Sequence, residues 1–206
     1  AMLSAGNYYL KKQNRTRGVS EKDIIDTAVQ SLGLNDVAIF NVEEKIIEYA
    51  VQAGKGKSAN MSGESDKGQL INMPVTGFTE ELASNSPAPG GGSVSALSGT
   101  LAAGLTSMVA ALTHEKKEFL GKKSMMEEIG IQAQQLKDKL LFLIDEDTNA
   151  FNGILSAMRL PASNDEEKKI RQELIINANR YAIDIPLKVA EISLKVLELS
   201  DQMVNE

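Results

Sequence analysis

The chain has 206 residues, 42% of them hydrophobic, with a formal net charge of −6 and a pI near 5.0. That apolar share can bury a core in one large or two modest domains, and the lack of a basic stripe argues against a nucleic-acid partner. With no Cys and one His, His114, the chain has no disulfide framework, thiolate zinc site or thiol nucleophile, and any His-based dyad would have to use His114.

Aromatic residues are only 4% and Trp is absent, which suits close-packed helices better than a β-sandwich. The chain opens on Ala1-Met2-Leu3 in mid-pattern, without a charged leader, so no signal peptide is expected and the sequence reads as cut from something longer.

Residues 1–13 predict a helix ending in the basic run Lys11-Lys12-Gln13-Asn14-Arg15, which complements a helix C-terminus. Gly18 breaks the chain. Ser20 with Asp23 forms a capping box before Ile24, Ile25, Ala28, Val29 and Leu32, and Gly33 supplies the stop. Asn41 can cap a third short helix carrying Ile46, Ile47 and Tyr49. These three pieces carry too little apolar area for a domain of their own and read as the tail of one. From Gln52 to Met73 the composition turns Gly-, Ser-, Lys- and Asp-rich, the signature of a linker, and a domain boundary is expected there.

Ser84 to Val94 (SNSPAPGGGSV) is the most informative stretch. Pro87 and Pro89 hold their neighbours extended, and Gly90, Gly91 and Gly92 let backbone approach a ligand closely. The bare N–H groups at the start of the helix that follows favour an anion or a developing negative charge. The plain alternative is a Gly-rich linker capped by Ser93. In that helix Val94, Leu97, Leu101, Leu105, Met108 and Leu112 are spaced along one face and predict its packed side. Ser95, Gly99, Ala103, Ser107 and Ala111 form a small-residue ridge suited to a helix pair or dimer seam. The uncharged run raises a membrane-span reading, but its Ser, Thr and Gly content is poorly hydrophobic, so no span is expected.

Residues 120–160 predict a long helix with Ile129, Leu136, Leu140, Leu143, Phe151, Ile154 and Met158 on one face and Asp147 inside that stripe. Leu140 to Ile144 is apolar all round, which predicts burial on every side and a protein or cleft environment for Asp145. A carboxylate there must find partners or have its pKa raised, and a raised carboxyl is a usable general acid or base. Either aspartate fits, and periodicity alone favours Asp147. A last helix is expected after Ser163-Asn164, to about Ser200, kinked by Pro186.

These segments resemble the formimidoyltransferase-cyclodeaminase family across the junction of its two enzymes. Gly18-Val19-Ser20, Leu32-Gly33-Leu34 and Phe40 to Tyr49 resemble the end of the transferase part. Phe78 to Lys117, LIDEDTNAF at 143–151, RLP at 159–161 and IPLKVAE at 185–191 resemble the cyclodeaminase part. The resemblance implies a transferase tail at 1–51, whose parent domain is α/β, a linker at 52–76, and an all-α helical-bundle cyclodeaminase domain at 77–206, incomplete at its C-terminus.

It further implies a cytoplasmic homo-oligomeric enzyme of histidine degradation and folate one-carbon metabolism. Its substrate is a tetrahydrofolate derivative, polyglutamylated, and no metal takes part. In the implied reaction 5-formimidoyltetrahydrofolate becomes 5,10-methenyltetrahydrofolate and ammonia. Asp145 matches the catalytic acid/base, with Asp147 as second candidate or pterin partner. Gly90, Gly91, Gly92 and Ser93 would donate to the bound folate, and Lys116 and Lys117 would pair with its glutamate carboxylates unless they are a solvated helix end. His114 is expected to cap that same end. A methenyltetrahydrofolate cyclohydrolase and a noncatalytic helical assembly module are the alternatives.

Overall fold

A computed structural model describes residues 1–36, 39–47, 49 and 69–205, which form two compact units, Ala1–Lys67 and Gly68–Glu206. Among the described residues every regular element is helical.

In the first unit α1 (Met2–Lys12) packs on α2 (Glu21–Ser31). Ser20 caps α2 as expected: its Oγ accepts from Asp23 N–H at 3.2 Å, and the Asp23 carboxylate accepts from the Ser20 hydroxyl at 2.6 Å in place of the backbone N–H a full capping box would use. Leu10, Ile25, Ala28 and Val29 are buried between the two helices. They can meet because Gly6 lies against Ile24, where a Cβ would come within 2.0 Å of the carbonyl oxygen. Gly33, at φ +64°, turns the chain after α2. The third helix is interrupted: α3 (Val42–Lys45) gives way to a bend at Ile46, and Ile47 and Tyr49 beyond it are again helical, as the sequence suggests.

Most of the expected linker, 52–68, lies outside the described residues. Its last part is not linker-like. Leu70–Asn72 forms a 3-10 turn, Leu70 is 9% exposed in the core, and α4 (Val75–Leu82) follows, with Phe78 buried.

Three long helices make up the rest of the second unit. They are α5 (Gly91–Glu115), α6 (Lys123–Met158) and α7 (Asp165–Val204), with a 3-10 stretch at Lys117–Lys122 joining the first two. The short connection turns α6 back along α5. Ser93 at the start of α5 therefore meets Ile144, and Ala110 near its end clusters with Met126 and Ile129. Asn164 caps α7, accepting from Glu167 N–H at 2.8 Å, and the helix runs unbroken through Pro186. Thr106 and Ser200 hydroxyls, 2.8 Å apart, place α7 alongside α5 in the same direction.

The packed face of α5 is mostly not the expected apolar stripe: Val94 and Leu97 pack in part against the core, and the rest of the stripe does not. Ser93, Ala96, Thr100, Ala103, Ser107, Ala110 and His114 are buried, an alternating 3-4 spacing of small residues that lets α6 and α7 approach closely. Gly99 belongs to the same seam: a Cβ there would meet Ser193 Oγ at 2.8 Å. Leu101, Leu105 and Leu112 are 61%, 59% and 56% exposed, and Met108 and Val109 accompany them. By length and composition α5 is also apolar enough to cross a membrane; here its small face serves as the seam of the bundle.

The long α6 follows the expected pattern more closely. Ile129, Ala133, Leu140, Leu143, Ile144 and Ala150 are buried, and Phe151 and Met158 are not. The turn predicted to be buried all round is not: Phe142 is 63% exposed.

Candidate active site

The triple-glycine start of α5 is occupied by a carboxylate from α6. Gly90 is the N-cap residue and supplies no side chain to the cap. Asp147 reaches in from α6 instead, its Oδ2 accepting from Ser93 N–H at 3.0 Å and from Ser93 Oγ at 3.3 Å. A side-chain carboxylate thus takes the place a helix N-terminus offers to an anion. The Ser93 hydroxyl, fully buried, also donates to Ile144 O at 2.8 Å.

Gly92 is required by this arrangement, because a Cβ there would fall 2.0 Å from Asp147 Oδ1. Gly90 stands 3.7 Å from Oδ2 by the same measure, and Gly91 meets nothing within 4 Å and is exposed. The amides expected to be bare are therefore divided: Ser93 N–H is used internally, and the backbone at Gly91 faces open space. Just upstream, Ser86 Oγ donates to Ala88 O at 2.7 Å and the Ala88–Pro89 peptide is cis. Ser93 does not cap the helix as the plain reading expected; it lies within the first turn and ties α5 to α6.

Asp145 faces a different neighbour. Its Oδ1 accepts from Leu70 N–H at 2.7 Å, so the carboxylate caps the 3-10 turn that opens the second unit. Partial removal from solvent pushes the Asp145 carboxyl above its ordinary value. The N–H groups of Leu70 and Ile71 pull it back without cancelling the rise, and the adjacent Glu146 charge adds to it. The sequence pointed to a carboxyl with a raised pKa after the apolar block, and Asp145 is one.

Glu146, not singled out by the sequence, holds the other side of this turn. It accepts from Tyr181 Oη of α7 and from Asn149 Nδ2. The Glu146 bond and charge in turn push the Tyr181 hydroxyl above the ordinary tyrosine value. No local pattern gives this pairing, since Tyr181 lies 35 positions away.

The structure brings Gly90, Gly92, Ser93 and Asp147 together, with Asp145 two residues along α6. It does not bring Lys116 and Lys117 to them. Both follow the far end of α5, about 37 Å along a helix rising 1.5 Å per residue from Gly91. His114 does not cap that end: its ring is buried and Nδ1 has no hydrogen-bond partner. Among the described residues no group of three or more Asp, Glu or His side chains is placed to hold a metal ion.

Fold and site together describe an all-α domain in which a partly buried carboxyl, Asp145, lies above its ordinary pKa two residues from the carboxylate that caps α5. The family profile described as "Formiminotransferase-cyclodeaminase" matches residues 74–206, and that described as "Formiminotransferase domain" matches residues 1–52. The chain belongs to the formiminotransferase-cyclodeaminase family.

The formimidoyltransferase-cyclodeaminase of Gallus gallus is 35% identical over 190 residues, covering 92% of this chain and 33% of the relative. That of Dictyostelium discoideum is 35% identical over 193 residues, covering 94% and 33%. The methenyltetrahydrofolate cyclohydrolase of Methylorubrum extorquens is 34% identical over 130 residues, covering 63% of this chain and 62% of the relative. The chain thus spans about a third of the length of the two bifunctional relatives.

Proposed function

We propose that the chain carries the cyclodeaminase chemistry of a bifunctional folate enzyme, as an ammonia-lyase releasing ammonia from 5-formimidoyltetrahydrofolate to give the 5,10-methenyl form. The observation that carries this reading is the raised Asp145 carboxyl, two residues from the carboxylate that seats the glycine-opened helix. N10 of the folate attacks the carbon of the protonated formimidoyl group, whose nitrogen enters as =NH2+ and becomes NH2, and Asp145 takes up the N10 proton. The tetrahedral adduct then expels its former imino nitrogen, and Asp145 returns the proton to it, because nitrogen leaves as neutral ammonia only when protonated.

Asp147 and Ser93 are positioning residues that fix the start of α5, and the exposed Gly91 backbone lines the pterin side. The folate is polyglutamylated, and no metal takes part. Residues 1–51 are the tail of the transferase domain and 77–206 belong to the cyclodeaminase domain. The enzyme is cytoplasmic, acts in histidine degradation, and assembles as a homo-oligomer by pairing the exposed leucines of α5 across a two-fold axis.

Asp145→Asn in the bifunctional protein, assayed for methenyltetrahydrofolate formation alongside oligomer size, tests this. Activity lost with assembly intact supports the enzyme; activity kept, or assembly lost, supports a noncatalytic helical module. The likeness to the cyclohydrolase of Methylorubrum extorquens favours one second reading, addition and removal of water at the same carbon. Ammonia release from the formimidoyl substrate, compared with hydrolysis of the methenyl compound, separates the two.

A further inference from the structure

The donors that meet the Asp145 carboxyl are main-chain amides of one short turn: Leu70 N–H, 2.7 Å from Oδ1, with Ile71 N–H beside it. Among the described residues no cation or side-chain donor is bonded to Asp145. Its charged neighbour is Glu146, which Tyr181 and Asn149 hold, and residues 69–73 (QLINM) carry no titratable side chain. The direction in which this carboxyl points therefore depends on where the turn sits.

The turn is fixed by its own bonds and by the core. Asn72 N–H donates to Gln69 O at 3.0 Å and Met73 N–H to Leu70 O at 3.1 Å. The Leu70 side chain is buried in the cluster that holds Phe78 of α4 and Leu140, Leu143 and Ile144 of α6, and Met73 packs against the same cluster. An amide carried by an anchored side chain holds its acceptor to one direction. Yet the turn belongs to neither matched region, since the two family profiles cover residues 1–52 and 74–206. A stretch whose composition reads as linker thus supplies the main-chain donor to the acid/base candidate. We propose that residues 69–73 are a positioning element of the reaction site, in which the Leu70 main-chain N–H aims the Asp145 carboxyl at the folate. The inference rests on the cyclodeaminase reading, which makes Asp145 the acid/base. An N–H bonded to a carboxylate fixes its orientation and favours its ionised form, the form that takes up the N10 proton.

Leu70→Pro removes the donor and puts Cδ in the path of the bond. Gln69, at φ −49° and ψ 135°, already has the extended backbone that precedes a proline, and the first position of a helical turn accepts one. Leu70→Ala loses the same buried side chain and keeps the N–H, so comparing the two isolates the donor. In the bifunctional protein Leu70→Pro is expected to lower kcat about 10²-fold below Leu70→Ala, as for a misdirected group, with KM little changed. The acidic limb of the kcat profile is expected to move to higher pH in the proline variant only. In an Asp145→Asn background the proline and alanine variants are expected to be equal. In this chain the carbon-13 carboxyl signal of Asp145 is expected to titrate at higher pH in Leu70→Pro than in Leu70→Ala. Circular dichroism establishes that each variant is folded. If Leu70→Pro does not fold, an ester in place of the Gln69–Leu70 amide deletes the same N–H, keeps the leucine, and is read against the native chain. Equal kcat and equal acidic limbs with and without the donor, or an undiminished proline effect in the Asp145→Asn background, overturns the proposal. If Asp145→Asn abolishes turnover while loss of the donor changes neither rate nor limb, the positioning role alone fails. Should the Asp145 signal move as expected while Asp145→Asn keeps full turnover, the cyclodeaminase reading fails, and a role for Leu70 in its reaction falls with it.

Discussion

Two residues apart on α6, Asp145 and Asp147 occupy unlike regions. Asp147 is met by an amide and a hydroxyl of the same residue, Ser93, in a position only glycine leaves open at Gly92. Asp145 answers the start of a short 3-10 turn and has its carboxyl pushed up by partial burial. A carboxylate tied into a helix cap stabilises structure; one whose ionised form is disfavoured can exchange a proton. Sequence spacing makes the two alike, and their partners separate them.

The largest test of this contrast is Asp145→Asn, expected to lower turnover by about 10²–10⁴-fold, the usual worth of a positioned acid/base. Asn Oδ1 can still accept from Leu70 N–H, so thermal melts should show no loss of stability at neutral pH. The pH dependence has a defined sign. Because the folded carboxyl lies above its ordinary 3.8, the unfolded chain releases this proton first. Its contribution to stability therefore declines as pH rises from 3.8 through the raised folded value. That decline should be absent in the Asn variant, as measured by denaturant midpoints across acidic pH.

Next in size is Asp147→Ala, which leaves Ser93 N–H and its hydroxyl without this acceptor. It should cost about 1–3 kcal/mol by chemical denaturation. Gly92→Ala should cost a similar amount, about 1–3 kcal/mol, by pushing the same carboxylate aside. Gly91→Ala, with nothing within 4 Å of its added methyl, should leave stability within about 0.5 kcal/mol. Equal losses at Gly91 and Gly92 would break the assignment of Asp147 as the cap.

Smaller again is Leu105→Glu on the exposed face of α5, expected to leave helix content and denaturation midpoint unchanged while shifting sedimentation toward the monomer. The smallest effect is expected from Lys116→Gln/Lys117→Gln, under twofold on turnover, since both lie a full helix away from the aspartates.

Element identity was written in local residues. Ser20 and Asp23 mark the start of α2, Asn164 that of α7, and the run from Gly91 opens α5, because caps and turns depend on neighbours a few positions away. The packed face of α5 was less legible. Hydrophobicity selected Leu101, Leu105 and Leu112, while the bundle buries Ala96, Gly99, Ala103 and Ala110. The small-residue ridge did point to Gly99, Ala103 and Ser107, which are buried; close helix approach rewards small side chains as much as apolar ones, and no local pattern states which of the two stripes a helix packs.

The sequence by itself determined the all-α class, the positions of the long helices, the glycine-opened start of α5 and the pair of aspartates behind the apolar block. Tertiary structure alone decided which aspartate caps α5 and which carries a raised pKa. It also set Tyr181 on Glu146 and left the leucine face of α5 open. The division is physical: helix propensity and capping act within a few residues, whereas desolvation, hydrogen-bond partners and face selection depend on side chains brought together from distant parts of the chain.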